Sequence, residues 1–199
     1  MRSVHALAAL ARQLNRSAGA PPVPALYFMT DPARTPDPAT IARRLPRGTA
    51  IVYRHFGAAD RRRTARNLAA LARDRGLILL IAADADLAAK VGAGGVHWPQ
   101  RLLWRAERFG VTTVSAHNIG DVAHAERFGA DAVILGPVFQ TASASGNPPL
   151  GLFRASQLAR KSPLPVIALG GVNARSSTHL AGRGFSGFAA VDAFKNQTA

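Results

Sequence analysis

Eight short runs of aliphatic and β-branched residues recur along the chain, each followed by a turn signal and a helical pattern, and this rhythm limits the fold more than anything else. The runs are Ala25–Met29, Ala50–Tyr53, Leu77–Ala82, Gly95–Trp98, Thr112–Ala116, Ala132–Leu135, Val166–Leu169 and Gly187–Val191. Strands covered on both faces read as continuous apolar stretches, and neighbours that run parallel need a crossover, usually a helix. Helical patterns fill the intervals, most clearly at Asp60–Arg75, Leu102–Phe109, Gly120–Phe128, Phe153–Lys161 and Ala174–Arg183. Gly92 and Gly129 each precede an apolar strand, the place where a glycine closes a helix. The pattern predicts an α/β fold, a single (β/α)8 TIM barrel, with an open doubly wound sheet as the alternative. At 199 residues the chain is compact for a barrel, which typically needs about 250.

That length supports one well-buried core, and no low-complexity linker divides it. Residues 1–24 read as an extra N-terminal helix and proline-rich lead-in, and residues 25–199 as the barrel domain. Val4, Leu7, Leu10 and Leu14 fall at helical spacing, and Pro21, Pro22 and Pro24 then stop the helix. Arg12 and Arg16 interrupt the apolar run, which favours an amphipathic helix over an export signal.

The formal net charge is +14, and Lys90, Lys161 and Lys195 are the only lysines among 25 Lys and Arg residues, so arginine carries the excess. Only Arg61, Arg62, Arg63 and Arg66 form a compact run, which suits a solvated helix face better than a nucleic-acid site. With no cysteine, thiolate chemistry and disulfides are excluded, and a cytoplasmic location is expected. No stretch is long and apolar enough to span a membrane. An assembly of like chains stays open.

Barrels carry their chemistry on the loops that follow the strands. Those loops hold Arg54 and His55, His97 and Gln100, Ser115, His117 and Asn118, Gly136 through Ser145, Gly170 and Gly171, and Asp192. Gly170 and Gly171 lack Cβ, so their N–H groups suit a close approach to phosphate; a tight turn that needs glycine dihedrals is the competing reading. The loop from Thr141 to Pro149, with Ser143 and Ser145, reads either as a cover over substrate or as a plain connector. Phe56, Trp98 and Phe139 either make the pocket apolar or fill the barrel mouth.

GADAVILGPVFQT at Gly129–Thr141, with PLG at Pro149–Gly151, resembles the thiamin phosphate synthase and TenI family. LYFMTD at Leu26–Asp31, DLAAKVGAGGVHWPQ at Asp86–Gln100, VSAHN at Val114–Asn118 and PVIALGGV at Pro165–Val172 agree in order and spacing. The resemblance implies a barrel that works in thiamin biosynthesis on small phosphorylated thiazole or pyrimidine ligands. Its synthase branch joins a pyrimidine diphosphate to a thiazole phosphate, with Mg2+ held by two carboxylates; its TenI branch isomerises a carboxythiazole phosphate without metal. Here Ala83 and Leu102 match the two carboxylate positions, with Asp84 one residue from the first, while Asp86 reads as a helix cap. Val52 and Phe56 match a glutamine and a lysine that contact the diphosphate and pyrimidine, Arg54 is kept, and Ala144 or a neighbour replaces a loop lysine.

Asp192 matches a serine that assists phosphate; a carboxylate there would cap the following helix and repel an anion. The changed charges make Mg-dependent synthase chemistry unexpected and leave no metal site expected, with Mg2+ relevant only if synthase activity persists. The resemblance favours His117 and Arg54 as catalytic residues and Ser115, Asn118, Gly136, Thr141, Ser143, Gly170 and Gly171 as substrate contacts. Imidazole titrates near neutrality, which suits His117 to taking and returning a proton; a loop hydrogen bond is its structural alternative. His97 reads as a packing residue, with a place in the pocket lining as its alternative. Three functions follow as alternatives: a tautomerase-like enzyme, a true synthase, or a ligand-binding barrel without catalysis.

Overall fold

A computed structural model describes residues 4–141 and 148–195. The eight strands are β1 (Leu26–Met29), β2 (Ala50–Tyr53), β3 (Ile78–Ala82), β4 (Gly95–Trp98), β5 (Val111–Ala116), β6 (Ala132–Leu135), β7 (Val166–Ala168) and β8 (Gly187–Ala190). Each pairs in parallel with the next, and β8 pairs with β1 through Tyr27↔Ala189 and Phe28↔Ala190, so the sheet is a closed barrel and not an open one. Every expected strand is present, within a residue or two at its ends.

Alternation along the strands builds two cores. Tyr27, Met29, Ala50, Val52, Leu80, Ala82, Ala132, Ile134, Ile167 and Ala189 form one cluster that fills the barrel interior. Their neighbours, among them Phe28, Ile51, Val96, Val114, Val133, Val166 and Phe188, join the helices in a second, larger cluster. Both faces of each strand are thus buried, which explains the unbroken apolar runs in the sequence.

The α-helices are α1 (Val4–Ser17), α2 (Pro38–Ala42), α3 (Arg61–Arg75), α4 (Ala85–Val91), α5 (Ile119–Phe128) and α6 (Leu152–Lys161). Gly92 and Gly129 close α4 and α5 in the left-handed conformation, as expected of them. The cap of α4 differs from the expectation: Asp84 accepts from the Leu87 N–H at 2.8 Å, whereas Asp86 lies in the first turn and pairs with Lys90. Asp84 holds the position because its extended backbone, φ −157°, aims the carboxylate back at the helix start.

Two expected helices are only 3-10 turns. After β4 the turn Gln100–Arg105 has no fully buried residue: Leu102 and Leu103 are only partly buried against the core and Trp104 is 82% exposed, so little apolar burial holds a full helix on the barrel. After β7 the turn Ser176–Leu180 replaces the longer pattern. There Ser177 and Thr178 donate to the Ala174 and Arg175 carbonyls, and Ser176 Oγ donates to the Gly171 carbonyl. These hydroxyls satisfy carbonyls locally, in competition with the continuing helix ladder.

α1 supplies packing from the N-terminal side. Its stripe of Val4, Leu7, Ala8, Ala11 and Leu14 is buried in the outer core, and the helix lies against β1, β8 and the Ser176–Leu180 turn. Leu7→Ala should lower unfolding stability by about 2–5 kcal/mol, against under about 0.5 kcal/mol for a change at exposed Arg12, both read from urea unfolding curves.

Candidate functional site

Parallel strands all end at one rim, so the barrel gathers its strand-end loops around one mouth. A cavity of about 410 Å³ opens there. Of the residues expected at the site, Arg54, Ser115, His117, Gly136, Thr141, Gly170 and Gly171 all line it. Asn118 does not, because its Oδ1 is the N-cap of α5 and accepts from the Asp121 N–H at 3.0 Å. Ser143, Ala144 and Ser145 lie outside the described residues.

His117 is set by two backbone contacts. Its N–H donates to Asp121 Oδ2 at 2.8 Å, and its ring Nδ1 is hydrogen-bonded to the Gly136 carbonyl. A carbonyl only accepts, so Nδ1 carries the proton and a neutral ring keeps its lone pair on Nε2. A histidine held in this way at a cavity wall is equipped to take a proton at one ring nitrogen while the other stays anchored.

Gly170 and Gly171 follow β7 with φ values of 92° and 64°, where residues bearing a Cβ are strained. A Cβ on Gly170 would lie 2.5 Å from Pro137 Cβ, and one on Gly171 would collide with the Gln140 carbonyl. The tight-turn reading therefore holds. The phosphate reading has its own support, since the N–H groups of Gly170, Gly171 and Val172 donate to no protein acceptor among the described residues. Three such backbone donors follow one another at a cavity wall, where they are available to an anion.

The cationic side of the cavity comes from Arg54 and from Arg34, which sequence reasoning did not single out. Arg54 donates from Nε to the Thr30 carbonyl at 2.8 Å, and burial lowers its pKa while Asp31 opposes that effect. Arg34 donates to Asp31 Oδ2 at 3.1 Å and to Asp192 Oδ2 at 2.9 Å. Partial burial works against the Asp31 charge, yet the hydrogen bonds and charge of Arg34 prevail and hold its carboxyl below the ordinary range. The loop after β1 was the available signal for Arg34, since every strand in a barrel delivers its next few residues to the same rim.

Asp192 corrects an expectation. It opens the turn Asp192–Phe194 without a side-chain cap, and both its oxygens are engaged, Oδ2 by Arg34 and Oδ1 by the Lys195 ammonium at 2.6 Å. Its charge is offset by two cations, so its repulsion of a bound anion is much reduced.

Other candidates sit elsewhere. His55 is buried outside the cavity lining with its ring 5.0 Å from Tyr53, and burial pushes its pKa down. Phe56 is exposed beneath the Arg61 guanidinium, Trp98 is buried with its indole N–H on the Glu107 carbonyl, and Phe139 packs on the outer core, so none of the three lines the cavity. Gln100 borders a separate surface hollow with Trp104 and Phe128.

Residues 26–194 match the family described as Thiamine monophosphate synthase. The chain belongs to that family. It is 31% identical over 160 residues to a protein of Aquifex aeolicus (strain VF5) provisionally named thiamine-phosphate synthase 2, covering 75% of this chain and 86% of that one. It is also 31% identical over 153 residues to the thiamine-phosphate synthase of Chloroflexus aurantiacus, covering 73% of this chain and 71% of that one. Among solved structures, the thiamine phosphate pyrophosphorylase from Pyrococcus furiosus superposes with a TM-score of 0.71 at 23% identity, covering 92% of this chain and 88% of that one. No helix among the described residues is long and apolar enough to cross a membrane.

The two positions that match the family's metal carboxylates do not fit a divalent cation. Ala83 offers no oxygen but its backbone's, Leu102 packs on the core, and Asp84 is committed to capping α4. Asp86 points to solvent beside Lys90. No group of three or more His, Cys, Asp or Glu side chains among the described residues is arranged to hold a metal ion.

His97, expected to be a packing residue, is 2% exposed inside the barrel, with hydrogen bonds to Thr113 and Ser115. Burial pushes its pKa down to about 3, and the Arg54 charge adds to this. The unfolded chain, with an ordinary value of about 6.5, binds a proton in that window that the folded protein refuses. Stability should therefore fall as pH drops from about 6.5 toward 3, by up to about 1.4 kcal/mol per pH unit from this group. Urea unfolding at several pH values should show this slope in the wild type and a shallower one in His97→Gln, where His55 and Asp31 still contribute in the same sense.

Proposed function

We propose that the chain binds a thiazole phosphate across the barrel mouth and moves a proton on the ring through His117, without a metal ion. The observation that carries this reading is the Nδ1 anchor on the Gly136 carbonyl, which leaves Nε2 as the proton-accepting atom at the cavity. Nε2 takes a proton from a carbon of the ligand, and the imidazolium returns it to another atom of the same molecule, so the product is an isomer and nothing is oxidised. The Gly136 carbonyl accepts from Nδ1–H throughout and stabilises the transient positive charge.

The N–H groups of Gly170, Gly171 and Val172 bind the phosphate, with Arg34 and Arg54 supplying positive charge near it. Family membership and the retained Arg54 keep synthase chemistry as the second reading. The changed carboxylate positions and the cap made by Asp84 weigh against it.

Purified protein assayed on a carboxythiazole phosphate isomer should turn it over equally with Mg2+ or with chelator. His117→Ala should lower kcat by about 10²–10⁴-fold with KM changed only a few-fold. Formation of thiamin phosphate from the pyrimidine diphosphate and thiazole phosphate, only with Mg2+, would replace this reading with the synthase. Binding without either turnover would leave a barrel that recognises the ligand and has lost the chemistry.

Ligand affinity should depend on these N–H groups in its own right. Gly171→Ala should weaken binding of thiazole phosphate at least tenfold, measured by calorimetry, while the unphosphorylated alcohol should show no comparable change.

A further inference from the structure

Where β4 meets β5, polar side chains enter the barrel interior. His97 on β4 pairs in register with Thr113 on β5, and Ser115 follows two residues later on the same inward face. The imidazole bridges the two hydroxyls, with Nδ1 2.9 Å from Thr113 Oγ1 and Nε2 3.0 Å from Ser115 Oγ. Thr113 and His97 are closed off from solvent and absent from the cavity wall, whereas Ser115 lines the cavity.

From this chain we infer that His97 is a positioning residue that, with Thr113, holds Ser115 as a hydrogen-bond donor toward the bound ligand. The inference rests on the reading that the mouth binds a ligand, and it specifies what Ser115 requires of that ligand.

A neutral imidazole has one N–H and one lone pair, and burial beside Arg54 keeps this ring neutral. Two arrangements are open. In the first, the Thr113 O–H donates to Nδ1, Nε2–H donates to Ser115 Oγ, and the Ser115 O–H is left to donate into the cavity. In the second, Nδ1–H donates to Thr113, Ser115 donates to Nε2, and Ser115 shows the cavity only lone pairs.

The two differ at Thr113. Its side chain has no other hydrogen-bond partner among the described residues and no exposure to water, so the second arrangement buries a hydroxyl proton with nothing to accept it. An unsatisfied buried donor costs more than an unused lone pair, and the first arrangement prevails. The ligand atom over Ser115 is then an acceptor, such as a ring nitrogen or a carboxylate oxygen. A group bearing its own N–H or O–H there meets a second donor.

Imidazole 15N spectroscopy of the ligand-free protein tests the proton count without any assumption about substrate. His97 should show Nε2 protonated and Nδ1 bare from pH 5 to 8. A protonated Nδ1, or a ring that titrates in this range, overturns the inference.

A double-mutant cycle tests the consequence. Ser115→Ala should weaken thiazole phosphate binding by about threefold to tenfold. Thr113→Val, at a position outside the cavity lining, should weaken it in the wild-type background and add nothing to Ser115→Ala. Additive losses, or no loss with Thr113→Val, would show that Thr113 and His97 do not act through Ser115. If thiazole phosphate fails to bind the wild type at all, the function proposed above fails, and the nitrogen spectrum still decides the arrangement at His97.

Discussion

Closure of the sheet between β8 and β1 is the constraint on which the rest of the molecule depends. Parallel strands cannot leave an edge unpaired without exposing a row of backbone donors and acceptors, and the Tyr27↔Ala189 and Phe28↔Ala190 pairing removes that edge. Closure also dictates what the interior accepts. Ala50, Ala82, Ala132 and Ala189 leave room for the larger Tyr27, Met29 and Leu80 in one small cluster. Because the strands run parallel, closure finally sends every strand-end loop to the same rim. Residues as distant in sequence as Arg34 and Asp192 come within 2.9 Å there.

The mouth balances charges instead of simply accumulating them. Arg34 and Lys195 occupy the two oxygens of Asp192, Asp31 holds Arg34 from its other side, and Arg54 leans on the Thr30 carbonyl. This arrangement brings positive charge to the cavity that the glycine turn also lines, with the Asp31 and Asp192 carboxylates both paired. Histidines in the same region have divided roles: His117 stands at the cavity wall anchored through one nitrogen, and His97 is sealed in the barrel with both nitrogens engaged. Identical side chains thus differ in chemistry through burial and partners alone.

Much of the fold was legible in the sequence because burial on both faces leaves a direct trace. All eight strands were visible as apolar runs, and Gly92 and Gly129 marked helix ends because the left-handed turn favours glycine. The segments after β4 and β7 were misread as helices. Their spacing looked helical, yet Trp104 faces water and the Ser176–Thr178 hydroxyls bind nearby carbonyls, neither of which spacing reports. At the site, Arg54, Ser115, His117 and the glycine pair could be placed from their positions at strand ends. The pairing of Arg34 with Asp192 leaves no trace in the sequence, since an ion pair across 158 positions has no local signature.

By itself, then, the sequence determined the strand count, the barrel, the family and the set of residues that gather at the rim, because periodicity and strand-end position are local properties of the chain. Only the tertiary structure decided which nitrogen of His117 is anchored, that Asn118 and Asp84 serve as helix caps, and that the charge of Asp192 is offset by its neighbours. Those outcomes depend on hydrogen bonds between atoms that only folding brings together. The proton count at His97 belongs with them, since it follows from how Thr113 and Ser115 flank one buried ring.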